Sequence, residues 1–250
     1  MLHIRTEGRA SWITLDRPPL NVLNTALLNE LSSVVAEAAS RSEFLVFEGA
    51  GPKGFSAGAE VGDHLPEQVA GMLAAFHGVF RTLWRADCIT IAAVHGVCLG
   101  GGCELATFCD FVVAGESARF GQPEIKLACF PPVALALFSQ FMGPRAALDL
   151  ILTGRTIRAA EACELGLVSR VVPDADVQKV AQDLVAELSA LSPAAVRMTR
   201  RELWRATGFD FEKTLEAVER AYLDRLAKLP DYAEGIRAFM EKRPPQWSSR

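Results

Sequence analysis

The sequence carries no CxxC pair, no HExxH and no Cys/His cluster, so the ligand spacings of a structural or catalytic metal are missing. It has no GxxxxGK[ST] stretch, which removes the usual phosphate cradle of a nucleoside triphosphatase. The four histidines, His3, His64, His77 and His95, are scattered, and Ser/His/Asp catalysis is not expected. No apolar run reaches the roughly 20 residues of a membrane span. The N-terminal stretch lacks a basic-then-apolar signal pattern, so export is not expected. The net charge of -4 argues against a nucleic-acid or anionic-membrane surface as the main business. Six cysteines, at 88, 98, 103, 109, 129 and 163, lie mostly inside apolar runs and predict reduced, buried thiols in a cytoplasmic protein. No Gly/Ser linker, fixed-period repeat or low-complexity tract divides the chain.

What is present is a soluble-globular composition, half apolar and 22% charged, over 250 residues. Short β-branched and aromatic runs ("ASWITLDR", "EFLVFEGAG", "CITIAAVHGVCLGG", "CDFVVAGE") alternate with longer helical patterns such as "LNTALLNELSSVVAEAAS". Continuous apolar strands between helices predict a sheet covered on both faces, hence an α/β fold. From about residue 174 the pattern turns helical. "DADVQKVAQDLVAELSAL" sets Val177, Val180, Ala181, Leu184, Leu188 and Leu191 on one stripe, and "SPAAVRMTRRELWRAT" opens with a Ser cap and Pro at the first helical position. Two more helices follow, at "DFEKTLEAVERAYLDRLA" and "PDYAEGIRAFMEKR".

"GVCLGGGCELATFCD" is the least ordinary stretch: three glycines at 100–102 run into a helix with Glu104 in its first turn. Glycines at a helix N-terminus allow close approach of a ligand to unpaired N–H groups and the positive end of the dipole. A phosphate fits that description, and so does a carbonyl oxygen that gains negative charge. A tight strand–helix junction with no ligand is the third reading. "PKGFSAGAE" also carries small residues after a buried strand, and two backbone donors converging on one oxygen would make an oxyanion hole. "ARFGQPEIKL" places a second acid, Glu124, twenty residues after Glu104 in a setting where desolvation raises a carboxyl pKa toward general-acid use.

These stretches, with "LTGRTIRAAEACELGLVSRVVP" and "GIRAFMEKR", resemble the crotonase superfamily, the enoyl-CoA hydratase/isomerase family, in the right order over essentially the whole chain. The resemblance implies an α/β fold built as a crotonase-like ββα spiral (1–188, holding the acyl-CoA site). A helical C-terminal trimerisation region (189–250) would follow, with trimers that often stack into hexamers. It implies an acyl-CoA thioester substrate and no cofactor beyond that substrate, no metal, no nucleic acid and no membrane. The matching oxyanion donors are the N–H groups of Ala59 and Gly101. The matching hydratase acids are Glu104, as the main activator of water, and Glu124, as proton donor to C2 in syn hydration of a 2-enoyl thioester. CoA-binding positions would be Leu20, Ala57, Phe239 beside adenine and Lys242 beside a phosphate. A double-bond isomerase, or a silent acyl-CoA-binding trimer, is the competing assignment.

The chain departs from the family pattern in two places. Glu60 stands where many members have Asp. After Glu124, where many hydratases have Pro-Gly-x-Gly-Gly, it has Pro131, Pro132, Val133, Ala134 and Leu135. Bulk in place of glycine predicts a remodelled acyl pocket with Pro131, Pro132, Val133 and Leu135 in its wall. "RPPLNVL" and "FPPVA" resemble the branch that hydrates cyclohexa-1,5-diene-1-carbonyl-CoA.

Overall fold

In the computed structural model, which describes residues 1–248, the chain starts with an antiparallel hairpin, β1 (Leu2–Glu7) and β2 (Ala10–Leu15), followed by α1 (Thr25–Arg41). Asn24 caps α1, its side chain accepting from the Leu27 N–H. A unit of two strands and a helix then repeats. The first is β3 (Phe44–Gly49), β4 (Gly54–Ser56) and α2 (Val69–Arg85). The second is β5 (Ile89–Val94), β6 (Val97–Leu99) and α3 (Gly101–Phe108). The third is β7 (Phe111–Gly115), β8 (Arg119–Gly121) and α4 (Pro132–Thr153). After β9 (Thr156–Arg158), α5 (Ala159–Glu164) and β10 (Arg170–Val172), the chain is helical: α6 (Val177–Ser189), α7 (Pro193–Ala206), α8 (Phe211–Asp224) and α9 (Pro230–Met240).

Within each unit the two strands go to different sheets. One sheet has the order β1-β2-β3-β5-β7-β10 and is parallel from β2 onward; the other is β4-β6-β8-β9. Each turn of chain therefore adds one strand to each growing edge, which is a ββα spiral. The sequence "CITIAAVHGVCLGG" reads as one strand but makes two, because Gly96 takes φ +52 and turns the chain.

From β2 to β7 the larger sheet is buried on both faces, and its residues alternate between two cores. Ile13, Leu15, Leu45, Phe47, Ala92 and Val94 face the main core, shared with α1 to α4. Trp12, Phe44, Val46, Ile91 and Val113 face the opposite way, against Val177, Ala181 and Leu184 of α6. Burial of a side chain of this size contributes roughly 1.5–3 kcal/mol. The predicted α6 stripe is thus seated on the sheet, except that Leu191 lies beyond the helix end and is 53% exposed.

The last helices fold back over the spiral. Arg200 of α7 meets Asp110 at 2.6 Å, and the same carboxylate accepts from the Thr90 N–H and Oγ1, both at 2.9 Å. Trp84, Phe108, Trp204 and Phe211 form one aromatic cluster across α2, α3, α7 and α8. α9 lies against two 3₁₀ turns, Val61–His64 and Pro123–Leu127. Positions 249 and 250, the end of the helical region expected over 189–250, lie outside the described residues. Among these residues α4 alone has the length and apolarity to cross a membrane, but Gly143 (φ +74) and Pro144 break it and its inner face is buried in the core. The cysteines are all free, five of them buried and Cys163 partly so.

Candidate active site

The three-glycine run is a steric requirement. Strand β6 ends at Leu99, Gly100 turns at φ +52 and donates its N–H to Gly121 O at 2.9 Å, and α3 begins at Gly101. A Cβ on Gly101 would meet the Phe76 ring at 2.8 Å and the Ala59 backbone nitrogen at 3.3 Å. The loop after β4 crosses the N-terminus of α3 closely, since a Cβ on Gly58 would lie 3.0 Å from Gly101 N. This crossing brings the Ala59 and Gly101 N–H groups side by side. Neither donates to a protein acceptor among the described residues, Gly101 being the first residue of its helix. Two adjacent free donors at the positive end of a helix suit an oxygen that becomes negative.

Both acids converge on this turn. Glu104, 2% exposed, accepts at Oε1 from the Ala134 N–H at 2.8 Å, at the start of α4. Burial pushes its pKa up to about 7, opposed by the backbone N–H groups of Ala134 and Val133, which favour the carboxylate. Glu124, in the Pro123–Leu127 turn, has Oε1 against Gly100 and Oε2 buried with no protein partner. Burial first, and the neighbouring Glu104 carboxylate second, push its pKa well above the usual range. Burial therefore favours the protonated form of each carboxyl, and the two acids titrate as a pair.

A cavity of about 340 Å³ opens beside this point. Its wall includes Ala57, Ala59, Gly100 and Glu124, the turn residues Val61 and His64, and from the far end of the chain Phe239 and Arg243. The Ala57 N–H donates to Leu20 O at 2.9 Å, so these two expected CoA-binding residues lie together at one side. Phe239 is 57% exposed and lines the cavity of its own chain. Lys242 is exposed at φ +54 and outside the wall; the cation that lines it from this segment is Arg243, paired with Glu234 at 2.6 Å. Lys126 is a second lining cation.

The expected acyl-pocket residues have different placements. Pro131 and Pro132 begin α4, and with Val133 they are buried outside this cavity's wall. Leu135 is 38% exposed. The segment's clearest contribution is to present the Ala134 N–H to Glu104.

Sequence reasoning passed over three residues here. Gly54–Gly58 reads GFSAG, the Gly-x-Ser-x-Gly spacing of a nucleophile elbow. Ser56 is fully buried; its Oγ donates to Asn21 O at 2.7 Å and accepts from the Gly58 N–H at 3.1 Å, so it shapes the loop that carries Ala59. Arg243 and His64 carry no pattern that a single sequence exposes.

A ββα spiral that sets two free N–H groups against a pair of buried carboxyls is a crotonase-type enzyme scaffold. A sequence-family model described as Enoyl-CoA hydratase/isomerase matches residues 6–250, and the chain belongs to that family. It is an enzyme of the enoyl-CoA hydratase type, a hydro-lyase. It is 38% identical over 255 residues to a probable enoyl-CoA hydratase of Mycobacterium tuberculosis, covering 99% of this chain and 97% of the relative. It is 33% identical over 252 residues to the cyclohexa-1,5-dienecarbonyl-CoA hydratase of Thauera aromatica, covering 99% and 96%. Among solved structures, an enoyl-CoA hydratase from Mycobacterium avium subsp. paratuberculosis K-10 superposes with a TM-score of 0.88 at 26% identity, covering 99% of this chain and 98% of that one.

Proposed function

We propose that the protein adds water across the 2,3 double bond of an acyl-CoA thioester, with no cofactor beyond the CoA of the substrate. The observation that carries this reading is the pair of buried carboxyls beside two free N–H donors. The thioester oxygen accepts from Ala59 and Gly101. The Glu104 carboxylate takes a proton from water as its oxygen bonds to C3. The C2=C3 electron pair moves onto the thioester oxygen as an enolate, and Glu124 then protonates C2. The two acids end with their protons exchanged and return to the starting state through the next water. One such donor is typically worth about 2.7–4 kcal/mol at the transition state.

Leu20, Ala57 and Phe239 would hold the CoA portion, with Lys242 and Arg243 near its phosphates. Pro131, Pro132 and Val133 would close the acyl end behind Glu104, favouring a short or cyclic acyl group, with a cyclic dienoyl-CoA among the candidates. The exposed Leu148 and Leu152 of α4 and Met198 and Leu203 of α7 would be covered in a homotrimer or hexamer. A cytoplasmic setting suits the free thiols. The test is a panel of linear, short and cyclic enoyl- and dienoyl-CoA esters, followed by loss of enoyl-thioester absorbance and identification of the product. Product with a moved double bond and no added water would favour isomerase activity instead.

A further inference from the structure

His64 is held rigidly in the cavity wall by contacts that leave one ring nitrogen bare. It ends the 3₁₀ turn that begins two residues after Ala59. Its Nδ1 lies 3.0 Å from Glu60 O. A carbonyl only accepts, so Nδ1 carries the hydrogen, and in the neutral ring Nε2 is then an acceptor. The backbone oxygen of His64 accepts from Tyr232 Oη of α9 at 2.6 Å, and the Tyr222 hydroxyl of α8 stands behind that of Tyr232 at 3.4 Å. Neighbouring charges are engaged elsewhere. Asp63 accepts from the Thr25 N–H and Oγ1, both at 2.8 Å, and Glu60 accepts from Arg17 at 3.0 Å. Burial lowers the pKa of the imidazole, which keeps it neutral. Nε2 makes no hydrogen bond to protein among the described residues, and His64 shares the cavity wall with Glu124, Val61, Leu127, Cys129 and Ala238.

A fixed acceptor in a mostly apolar wall discriminates between ligands. A bound group that covers it without donating strips its water and leaves it unsatisfied, which weakens binding. A group that donates recovers that loss. We propose that His64 selects the acyl group: its Nε2 accepts a hydrogen bond from a hydroxyl carried on the acyl moiety beyond the reacting double bond. The preferred substrate within the class is then a hydroxylated 2-enoyl-CoA. The inference rests on the hydratase reading for its substrate class, and its geometry stands on His64 alone.

The test compares crotonyl-CoA with 4-hydroxycrotonyl-CoA, and cinnamoyl-CoA with 4-hydroxycinnamoyl-CoA, in the wild type, His64→Leu and His64→Gln. Both kcat/KM and calorimetric Kd are measured. In at least one pair the wild type should favour the hydroxylated ester by about tenfold, the scale of one net hydrogen bond. His64→Leu should abolish that preference, weakening the hydroxylated ester and improving the plain one, and His64→Gln, which keeps an acceptor, should restore part of it. Equal handling of both members of each pair by the wild type would overturn the proposal. So would equal losses on both members in His64→Leu, which would place His64 against the shared CoA portion. If no ester is hydrated, the hydratase reading fails, while the preference in Kd still decides the role of His64.

Discussion

The Glu124 carboxyl occupies space that any side chain at position 100 would need: a Cβ on Gly100 would lie 2.6 Å from Glu124 Oε1. Gly100→Ala adds that Cβ at φ +52 and ψ -131, a backbone region that L-residues rarely adopt, at a cost of about 1–3 kcal/mol. The expected outcome is a modest drop in Tm and a fall in kcat of about 10²-fold, the low end for displacing a general acid. Steady-state kinetics with near-unchanged circular dichroism would check it; wild-type kcat would show that Glu124 is not held against this turn during catalysis.

Glu104→Gln and Glu124→Gln should each lower kcat by about 10²–10⁴ with little change in CoA-ester affinity. The wild-type rate should rise with pH through about 7 as Glu104 ionises, then fall at higher pH as Glu124 gives up its raised proton. The apparent values belong to the coupled pair. Loss of the alkaline limb in Glu124→Gln, seen in a pH–kcat/KM profile, is the discriminating result.

The same acids should weaken the folded state. A carboxyl whose folded pKa exceeds its unfolded value gives its full stabilisation below the unfolded value, and that contribution is lost as pH rises through the folded one. For Glu104 this window runs from about 4.5 to about 7. At pH 8 Glu104→Gln should therefore be more stable than the wild type, by on the order of 1–3 kcal/mol, because the amide keeps an acceptor for Ala134 without a buried charge. Denaturant titrations at pH 5 and pH 8 should show the gain only at the higher pH.

Arg200→Ala should cost about 1–3 kcal/mol, since it removes the cation that Asp110 accepts from under α7. Asp110 also braces Thr90 at the start of β5, so loss of Arg200 should loosen both α7 and that strand. Hydrogen exchange can follow both. A change confined to α7 would mean that Asp110 needs no cation to hold β5.

Light scattering at micromolar concentration should give three or six copies. Replacing Leu148 and Leu152, or Met198 and Leu203, by charged residues should shift the protein toward monomer, because these side chains are 53–66% exposed in the single chain. A wild-type monomer would rule out the expected assembly.

The α/β class and the helical C-terminal part could be read from apolar periodicity, and the glycine turn with both acids beside it from contiguous motifs. What stayed hidden depended on chain contacts across long separations. His64 is one histidine in "VGDHLPEQ", and its role comes from Tyr232, 168 residues away. Lys242 and Arg243 are adjacent in sequence, yet the turn after α9, with Lys242 at φ +54, sends only Arg243 to the cavity. Pro131 to Leu135 could be recognised as a departure from the family pattern, but which residue of a helix start faces a ligand depends on how α4 seats against Glu104.

The spiral also gives the site an order of completion during synthesis. A ribosome emits the donor loop at Ala59 first, then Gly101 and Glu104, then Glu124, and each can dock on the turn before it. The wall supplied by Phe239 and Arg243, and the brace from Tyr232, come with α9 and the strap after it. A nascent or clipped chain ending before Pro230 would hold Glu104 and Glu124 beside an open cleft, so the segment that closes the cavity leaves the ribosome after both acids.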